Sequence, residues 1–401
     1  MSGPLSGYRV VDFTNVIAGP YATMILADQG ADVIKVEAPQ RPDHTRRVGN
    51  GPPGLRASFV NNNRNKRSIT LDVKVESGRQ ALLKLVESAD VFIQNFRPGV
   101  VERLGLGEAE LRAVRPDLIY VSMSGWGEKG PFAHKPVYDP IIQALSGLAT
   151  IQAGSDTERP RLIRTILPDK LTGITAAQAV TAALAGRAKT GEGQHVRVSM
   201  LDSVIAFLWS SDMGSQTFVG QETETQRAAT FIDLIYETKD GYISVSTMTD
   251  TQWEDFCHAA DRKNLLVDER FSTPALRDTN ADERLELIQE ALLEKTAAEW
   301  LQILDDAGVP CAPVLKRKDM IHHPQVVASE IVVEHEHPHA GTLRQARPAA
   351  RFAGTPNDTR YGAPLFGEHS AEILAEAGYS EEQIADLVDA GVVVDAKLTQ
   401  S

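Results

Sequence analysis

The stretch from Leu167 to Leu184, LPDKLTGITAAQAVTAAL, sets one carboxylate, Asp169, ahead of a Thr-Gly step and a run of small residues. After Gly173 the run is rich in Ala, Thr and Val, with Gln178 as its only large polar side chain. That composition predicts a helix able to pack closely against a neighbour or a ligand. An acid at its mouth would sit near the positive end of the helix dipole and near unpaired backbone N–H groups. Such groups favour the ionised form, and an ionised carboxylate can be a nucleophile. The simpler role for Asp169 is that of a helix cap.

Other groups able to do chemistry fall in turns. Asn95-Phe96-Arg97-Pro98-Gly99 offers an amide, an aromatic face and a guanidinium, with Arg103 close behind. That set suits a purine nucleotide with phosphates, or else an Asx-type turn with solvated arginines. Arg64, Lys66 and Arg67 precede the apolar run SITLDV, and Lys74 follows it; the cluster could hold a phosphate or be solvated surface. Ser122 to Gly130, SMSGWGEKG, surrounds Trp126 with three glycines and permits close backbone approach. His322, His323, His335, His337 and His339 lack partners at metal-like spacing, so no metal site is expected. G-x-S-x-G, a G-x-G-x-x-G after the first strand and a P-loop are all absent, which weakens hydrolase, dinucleotide and NTPase readings.

The elements that must carry these groups alternate. YRVVDF (Tyr8 to Phe13), ADVIKVE (Ala31 to Glu37), Ser68 to Val73, ADVFIQ (Ala89 to Gln94) and LIYVSM (Leu118 to Met123) read as buried strands. Helical segments lie between them at Tyr21 to Gln29 and Gly78 to Glu87. The alternation predicts an α/β domain with a parallel sheet, and ligands then bind beyond the carboxyl ends of the strands. A second region starts near residue 225. It offers a strand after Asp240-Gly241-Tyr242 and helices at Thr251 to Ala260, Ala281 to Lys295 and Ala297 to Ala307. His335 to Phe352 reads as irregular, and His369 to Asp389 as helical.

At 401 residues, two domains are the natural expectation. Lys and Arg number 41 against 54 Asp and Glu, a net charge of −13, which argues against nucleic acid or an anionic membrane as a partner. Cys257 and Cys311 form no disulfide framework, MSGPLSGYRVVDF has no signal-peptide pattern, and no apolar run is long enough to span a bilayer. A cytoplasmic location is the expectation.

Eight stretches, in order along nearly the whole chain, resemble the class III CoA-transferase family, also called CaiB/BaiF or formyl-CoA transferase-like. They are VVDFTNVIAGPYATMILADQGADVIKVE, NRNKRSITLDVK, ADVFIQNFRPGVVERLGLG, PDLIYVSMSGWGEKGP, VYDPIIQALSGL, LPDKLTG, GEGQHVRVSMLDSV and GAPLFGEHSAEIL. The resemblance implies a Rossmann-like large domain over 1–205, completed by 340–401, and a linker over 206–224. A smaller α+β domain would span 225–330, with 331–401 the return to the large domain. It also implies an interlocked homodimer with the active site between the domains. Asp169 becomes the catalytic nucleophile. Coenzyme A contacts carry over to Val16, Leu71, Lys74, Asn95, Phe96, Arg103, Val137, Tyr138 and Met200. The substrates are an acyl-CoA, with succinyl-CoA the expected donor, and a small carboxylic acid; no tightly bound cofactor is implied.

By the family's mechanism the carboxylate passes through mixed anhydrides and an aspartyl-CoA thioester, and water must be kept out. Backbone groups near Ser124-Gly125 are candidates for stabilising the oxyanions. Ile17 stands where oxalate-specific relatives have Gln, no polyglycine loop lies between Phe231 and Asp255, and Ala38 replaces the usual Arg. These departures argue against oxalate as acceptor, and they leave Arg46 or Arg47 to take a phosphate or the acceptor carboxylate. Two rivals share the scaffold. An α-methylacyl-CoA racemase needs a His–Asp pair, but here the matching segment is Pro136-Val137-Tyr138-Asp139, without imidazole. A non-catalytic acyl-CoA-binding protein would not need Asp169.

Overall fold

Six short, mostly apolar runs form one parallel sheet in the computed structural model, which describes residues 3–223, 234–356 and 359–396. The boundary expected near residue 225 lies outside the described residues. In chain order the elements are β1 (Arg9–Phe13), α1 (Ala18–Asp28), β2 (Asp32–Glu37), α2 (Ala57–Asn63), β3 (Lys66–Thr70), α3 (Glu76–Val86) and β4 (Val91–Gln94). There follow α4 (Val100–Arg103), α5 (Glu108–Val114), β5 (Ile119–Ser124), α6 (Asp139–Leu145), α7 (Leu148–Ile151), α8 (Leu167–Thr190), β6 (His195–Ser199) and α9 (Met200–Trp209).

The strand order is β3-β2-β1-β4-β5-β6, every pair parallel. The sheet is buried on both faces, which is why its strands are apolar at successive positions rather than alternate ones. Val10, Val33, Ile93 and Val121 pack under α1 and α8. Val11, Ile34, Ile69 and Phe92 pack under α3, α5 and two C-terminal helices, Ser370–Glu376 and Glu381–Asp389. The order reverses between β1 and β4, and a doubly wound sheet opens a ligand crevice beyond the strand ends at such a point.

The chain divides into two compact units. One comprises Met1–Ala149, Arg161–Gly214 and Glu330–Ser401 and holds the sheet. The other comprises Thr150–Pro160 and Ser215–Ser329. It is built on an antiparallel sheet in the order β7-β8-β9, formed by Ile235–Glu237, Tyr242–Val245 and Cys311–Pro313. Trp253, Phe256 and Trp300 fill its core. Capping boxes start two of its helices, at Thr249 with Gln252 and at Thr296 with Glu299.

One expectation is overturned. His335 to Phe352 is not irregular throughout: Val332–His337 and Gly341–Ala346 form an antiparallel hairpin, β10 and β11. Its inward side chains include His337 and Gln345, both buried, and their polar types hide the strand alternation. His337 Nε2 bonds Ala363 O at 2.9 Å, and Gln345 Nε2 donates to Val60 O at 3.1 Å. Among the described residues no helix is long and apolar enough to cross a membrane.

Candidate functional site

A cavity of about 570 Å³ opens beyond the ends of β1, β4 and β5. Asp169 lines it, at the third position of α8. Ile166 is the N-cap residue and makes no side-chain cap bond, and Asp169 lies inside the first turn rather than at the cap. The small residues of α8 explain how the acid reaches the wall. A Cβ on Gly173 would stand 2.9 Å from both Ala18 O and Tyr21 Cδ1, so only glycine lets α8 approach α1 this closely.

The charge state of Asp169 is a balance. Burial pushes its carboxyl up to about 6, and nearby Asp139 pushes the same way. The Ala18 backbone N–H faces the carboxylate and pulls it down, but by less. The expectation that helix N–H groups dominate is therefore corrected: desolvation wins. At pH 7 the group is still roughly ten-to-one ionised, and a carboxylate that is costly to keep charged is a better nucleophile than a fully solvated one.

The wall opposite is a pair of clasped turns. Asn95 Oδ1 accepts from Asn15 N at 2.9 Å, and Asn95 Nδ2 donates to Asn15 O at 2.8 Å. The amide of Asn95 thus ties the turn after β4 to the turn after β1. Phe96 tilts onto Phe13 with ring centroids 4.8 Å apart and also lines the cavity. Val16 sits at φ 72°, a conformation costing a β-branched residue on the order of 1–3 kcal/mol. Gly19 follows because a Cβ there would overlap the side chain of Thr14.

The cavity also brings together Gly125, Val137, Tyr138 and Met200. A Cβ on Gly125 would overlap Val137 Cγ1, so the glycine is required for the SGWG loop to pass the Val137 side chain. Asp139, just behind Tyr138, is buried. Its Oδ2 accepts the Asp169 backbone N–H at 3.4 Å, and its Oδ1 accepts from Gln143 Nε2 at 2.6 Å.

Several expected contacts lie elsewhere. Leu71 is fully buried in the core below the sheet, and Lys74 and Arg103 are exposed residues outside the cavity lining. Ile17 is buried behind the turn, and Arg47 is exposed outside the lining. Arg46 is consumed inside the fold: its guanidinium bonds both oxygens of Glu37 at 2.9 and 2.7 Å and lies 3.7 Å from the Phe59 ring centroid. A phosphate or acceptor-binding role for Arg46 is corrected on that ground. The basic cluster is likewise spent. Arg64 pairs with Asp28, Lys66 with Asp12, and Arg67 with Asp32, Glu372 and Glu376. Burial pushes the Lys66 ammonium down to about 8, and Asp12 opposes that shift.

The sequence reading passed over other residues that line the cavity. Arg41 reaches it from a short bridge with Ala38, and Lys135 from the loop before α6; Arg97, already a candidate by its place in the turn after β4, joins them. The three cations face a common space, a distribution suited to an anionic ligand. Spacing gave no signal for Arg41, an exposed residue that a local turn, closed by the Ala38–Arg41 bridge, sets at the cavity.

Comparison with known proteins identifies the family. Residues 5–370 match the profile of CoA-transferase family III. The succinyl-CoA:glutarate CoA-transferase of Homo sapiens is 34% identical over 399 residues, covering 97% of this chain and 90% of its own. The acetyl-CoA:oxalate CoA-transferase of Acetobacter aceti is 35% identical over 382 residues, covering 93% and 96%. Among solved structures, Rv3272 of Mycobacterium tuberculosis superposes with a TM-score of 0.80 at 33% identity, over 92% of this chain and 98% of that one. A CaiB/BaiF family protein from Brucella suis gives 0.82 at 32% identity, over 94% and 100%. The chain therefore belongs to CoA-transferase family III and is an enzyme of that class.

Proposed function

We propose that Asp169 carries the acyl group and then coenzyme A during transfer. The carrying observation is its place: a half-buried carboxylate on the wall of a cavity that also presents Asn95, Phe96, Arg41 and Lys135. In the proposed sequence Asp169 attacks the thioester carbonyl of the donor, and CoA thiolate leaves. The thiolate then attacks the aspartyl carbonyl of the mixed anhydride, expels the donor acid as a carboxylate and leaves an aspartyl-CoA thioester. The acceptor carboxylate attacks this thioester and releases the thiolate again. Thiolate attack on the acceptor's carbonyl yields the new acyl-CoA and regenerates the Asp169 carboxylate. An acceptor labelled with oxygen-18 should leave label in the Asp169 peptide; an unlabelled peptide after many turnovers would rule out covalent transfer.

Val16, Asn95, Phe96, Val137, Tyr138 and Met200 are proposed to line the path of the coenzyme, with Gly125 beside the reacting carbonyl. Leu71, Lys74, Arg103, Ile17 and Arg47 stay proposals from family resemblance alone. Arg41, Arg97 and Lys135 are proposed to face its phosphates or the free carboxylate of a dicarboxylic substrate. The names of two relatives, from Homo sapiens and Agrobacterium fabrum, support succinyl-CoA and glutarate-like acids as substrates. A panel of acids offered with succinyl-CoA or acetyl-CoA, read by mass spectrometry, identifies the pair. No histidine lines the cavity among the described residues, which disfavours a two-base racemase.

A homodimer is proposed as the working form. The mutually packed helices α6, α8 and α9 expose Tyr138, Ile141, Leu145, Ile174, Phe207 and Trp209, and apolar surface of this kind marks an interface. Light scattering on wild type and Trp209→Glu tests it. A cytoplasmic setting suits the unpaired thiols of Cys257 and Cys311.

A further inference from the structure

Behind the turn that walls the cavity lies a set of charges that touch no ligand space. Lys35 and Asp43 are both fully buried at the side chain and pair at 3.0 Å. Lys66 and Asp12 are equally buried and also pair at 3.0 Å. Lys35, Asp43 and Asp12 each also bond the Thr14–Ala18 turn, and Lys66 bonds the start of α1. Lys35 Nζ donates to Thr14 O at 2.9 Å. Asp43 Oδ1 accepts from Val16 N at 3.4 Å. Asp12 Oδ1 accepts from Thr14 N at 3.1 Å and from Thr14 Oγ1 at 2.5 Å. Lys66 Nζ donates to Pro20 O, in the first turn of α1, at 2.9 Å.

Stability alone does not account for this arrangement. Well-packed apolar residues in place of a buried ion pair commonly leave a protein as stable or more so. The Arg46–Glu37 and Arg64–Asp28 pairs, by contrast, have no bond to the turn. The turn itself needs restraint, because Val16 holds a positive φ that its side chain disfavours. It also ends in Ala18, whose N–H faces the Asp169 carboxylate.

We propose that the buried Lys35–Asp43 pair is a positioning device for transfer, holding the Thr14–Ala18 turn so that Val16 shapes the coenzyme wall and the Ala18 N–H meets the nucleophile. The inference rests on Asp169 being that nucleophile. Neither Lys35 nor Asp43 lines the cavity; both act through the turn. Asp43 carries a second duty that makes it a useful probe. Its Oδ1 caps the short helix His44–Arg47 by accepting Thr45 N at 2.9 Å, and an asparagine can keep that bond while losing the ion pair.

The test compares Lys35→Met, Asp43→Asn and the control Arg64→Met, which breaks a buried pair remote from the turn. Folding is followed by circular dichroism, and competent sites are counted by the single equivalent of donor acid released from acyl-CoA without acceptor. Lys35→Met and Asp43→Asn should each raise KM for acyl-CoA about tenfold per competent site, a conservative figure for a displaced binding wall. The pH midpoint of that release should also rise, because the Ala18 N–H no longer favours the ionised form. Asp139, the charged group that faces Asp169, and Lys170 beside it are unchanged in all three variants. Arg64→Met should be less stable with KM and midpoint unchanged. If Lys35→Met does not fold, the near-isosteric Asp43→Asn decides. Folded variants with wild-type KM and midpoint overturn the proposal. Absence of donor-acid release in the wild type itself would instead overturn the nucleophile assignment.

Discussion

The backbone N–H of Asp169 donates to the carboxylate of Asp139 at 3.4 Å, so the two acids lie at the N-termini of α8 and α6 within direct electrostatic reach. Each helix end favours negative charge, yet both carboxyls are pushed upward, chiefly by burial. Gln143 fixes the orientation of Asp139, donating to its Oδ1 while accepting Ile163 N at 2.9 Å through its own Oε1. In the proposed mechanism one of these acids reacts, and the second, held in place, adds to the upward push that burial gives the first.

The pH profile follows. Donor-acid release should fall as pH drops through about 6, the value to which Asp169 is pushed, with a one-proton slope. Asp139→Asn removes the smaller of the two upward pushes and leaves burial in place. The midpoint should move down yet stay above the ordinary 3.8 of aspartate. Rapid-quench measurement of the release from pH 4 to 8 checks this, and an unmoved midpoint would falsify the coupling.

The same shift has a stability sign. The folded carboxyl of Asp169 binds its proton more tightly than the unfolded one, so ionisation works against the fold. The stabilising effect of its tight proton binding is complete below 3.8 and is lost as pH rises through about 6. Asp169→Asn carries no charge and should gain about 1–3 °C in Tm above pH 7. The gain should vanish near pH 4. Calorimetry at the two pH values reads the difference, and a gain independent of pH would contradict the titration.

Gly125 and Val137 form a steric pair. Because a Cβ on Gly125 would overlap Val137 Cγ1, Gly125→Ala should drive Val137 or the loop into the cavity. A displacement of ~1 Å beside the reacting centre lowers kcat/KM by up to about 100-fold. Val137→Ala in the same chain removes the obstructing methyl group and should recover most of that loss. Steady-state kinetics of the two single variants and the double variant decide it; additive losses would show that the pair does not act as a unit.

The sequence disclosed the sheet because parallel strands buried on both faces must be apolar at nearly every position, as in Val10 and Val11 or Phe92 and Ile93. The small residues after Gly173 foretold a helix that packs closely, as α8 does on α1, while it was the family resemblance that singled out Asp169 at its start. The β10–β11 hairpin stayed hidden because His337 and Gln345, both polar, face inward and bond distant backbone and side-chain atoms. The basic cluster misled for the same reason: Asp28, Asp12 and Asp32, which absorb Arg64, Lys66 and Arg67, are more than thirty positions away. Charge reads as surface until its partner is known.

Two arginines close in sequence should therefore behave in opposite ways. Arg41 lines the cavity and Arg46 lies inside the fold, held by Glu37, Gly54 O and Pro364 O. Arg41→Ala removes a cation from an exposed, ligand-facing position, where a single charge contact contributes about 1 kcal/mol or somewhat more. KM for acyl-CoA should rise about five- to tenfold, the effect should shrink with added salt, and Tm should barely move. Arg46→Met leaves Glu37 buried without its partner, which costs about 3–5 kcal/mol. Tm should fall by several degrees or more, while the surviving folded enzyme keeps its KM. Thermal melts and kinetics at two salt concentrations separate the cases. A raised KM in folded Arg46→Met, with Arg41→Ala unaffected, would return the anion-binding role to the residue that the fold has already engaged.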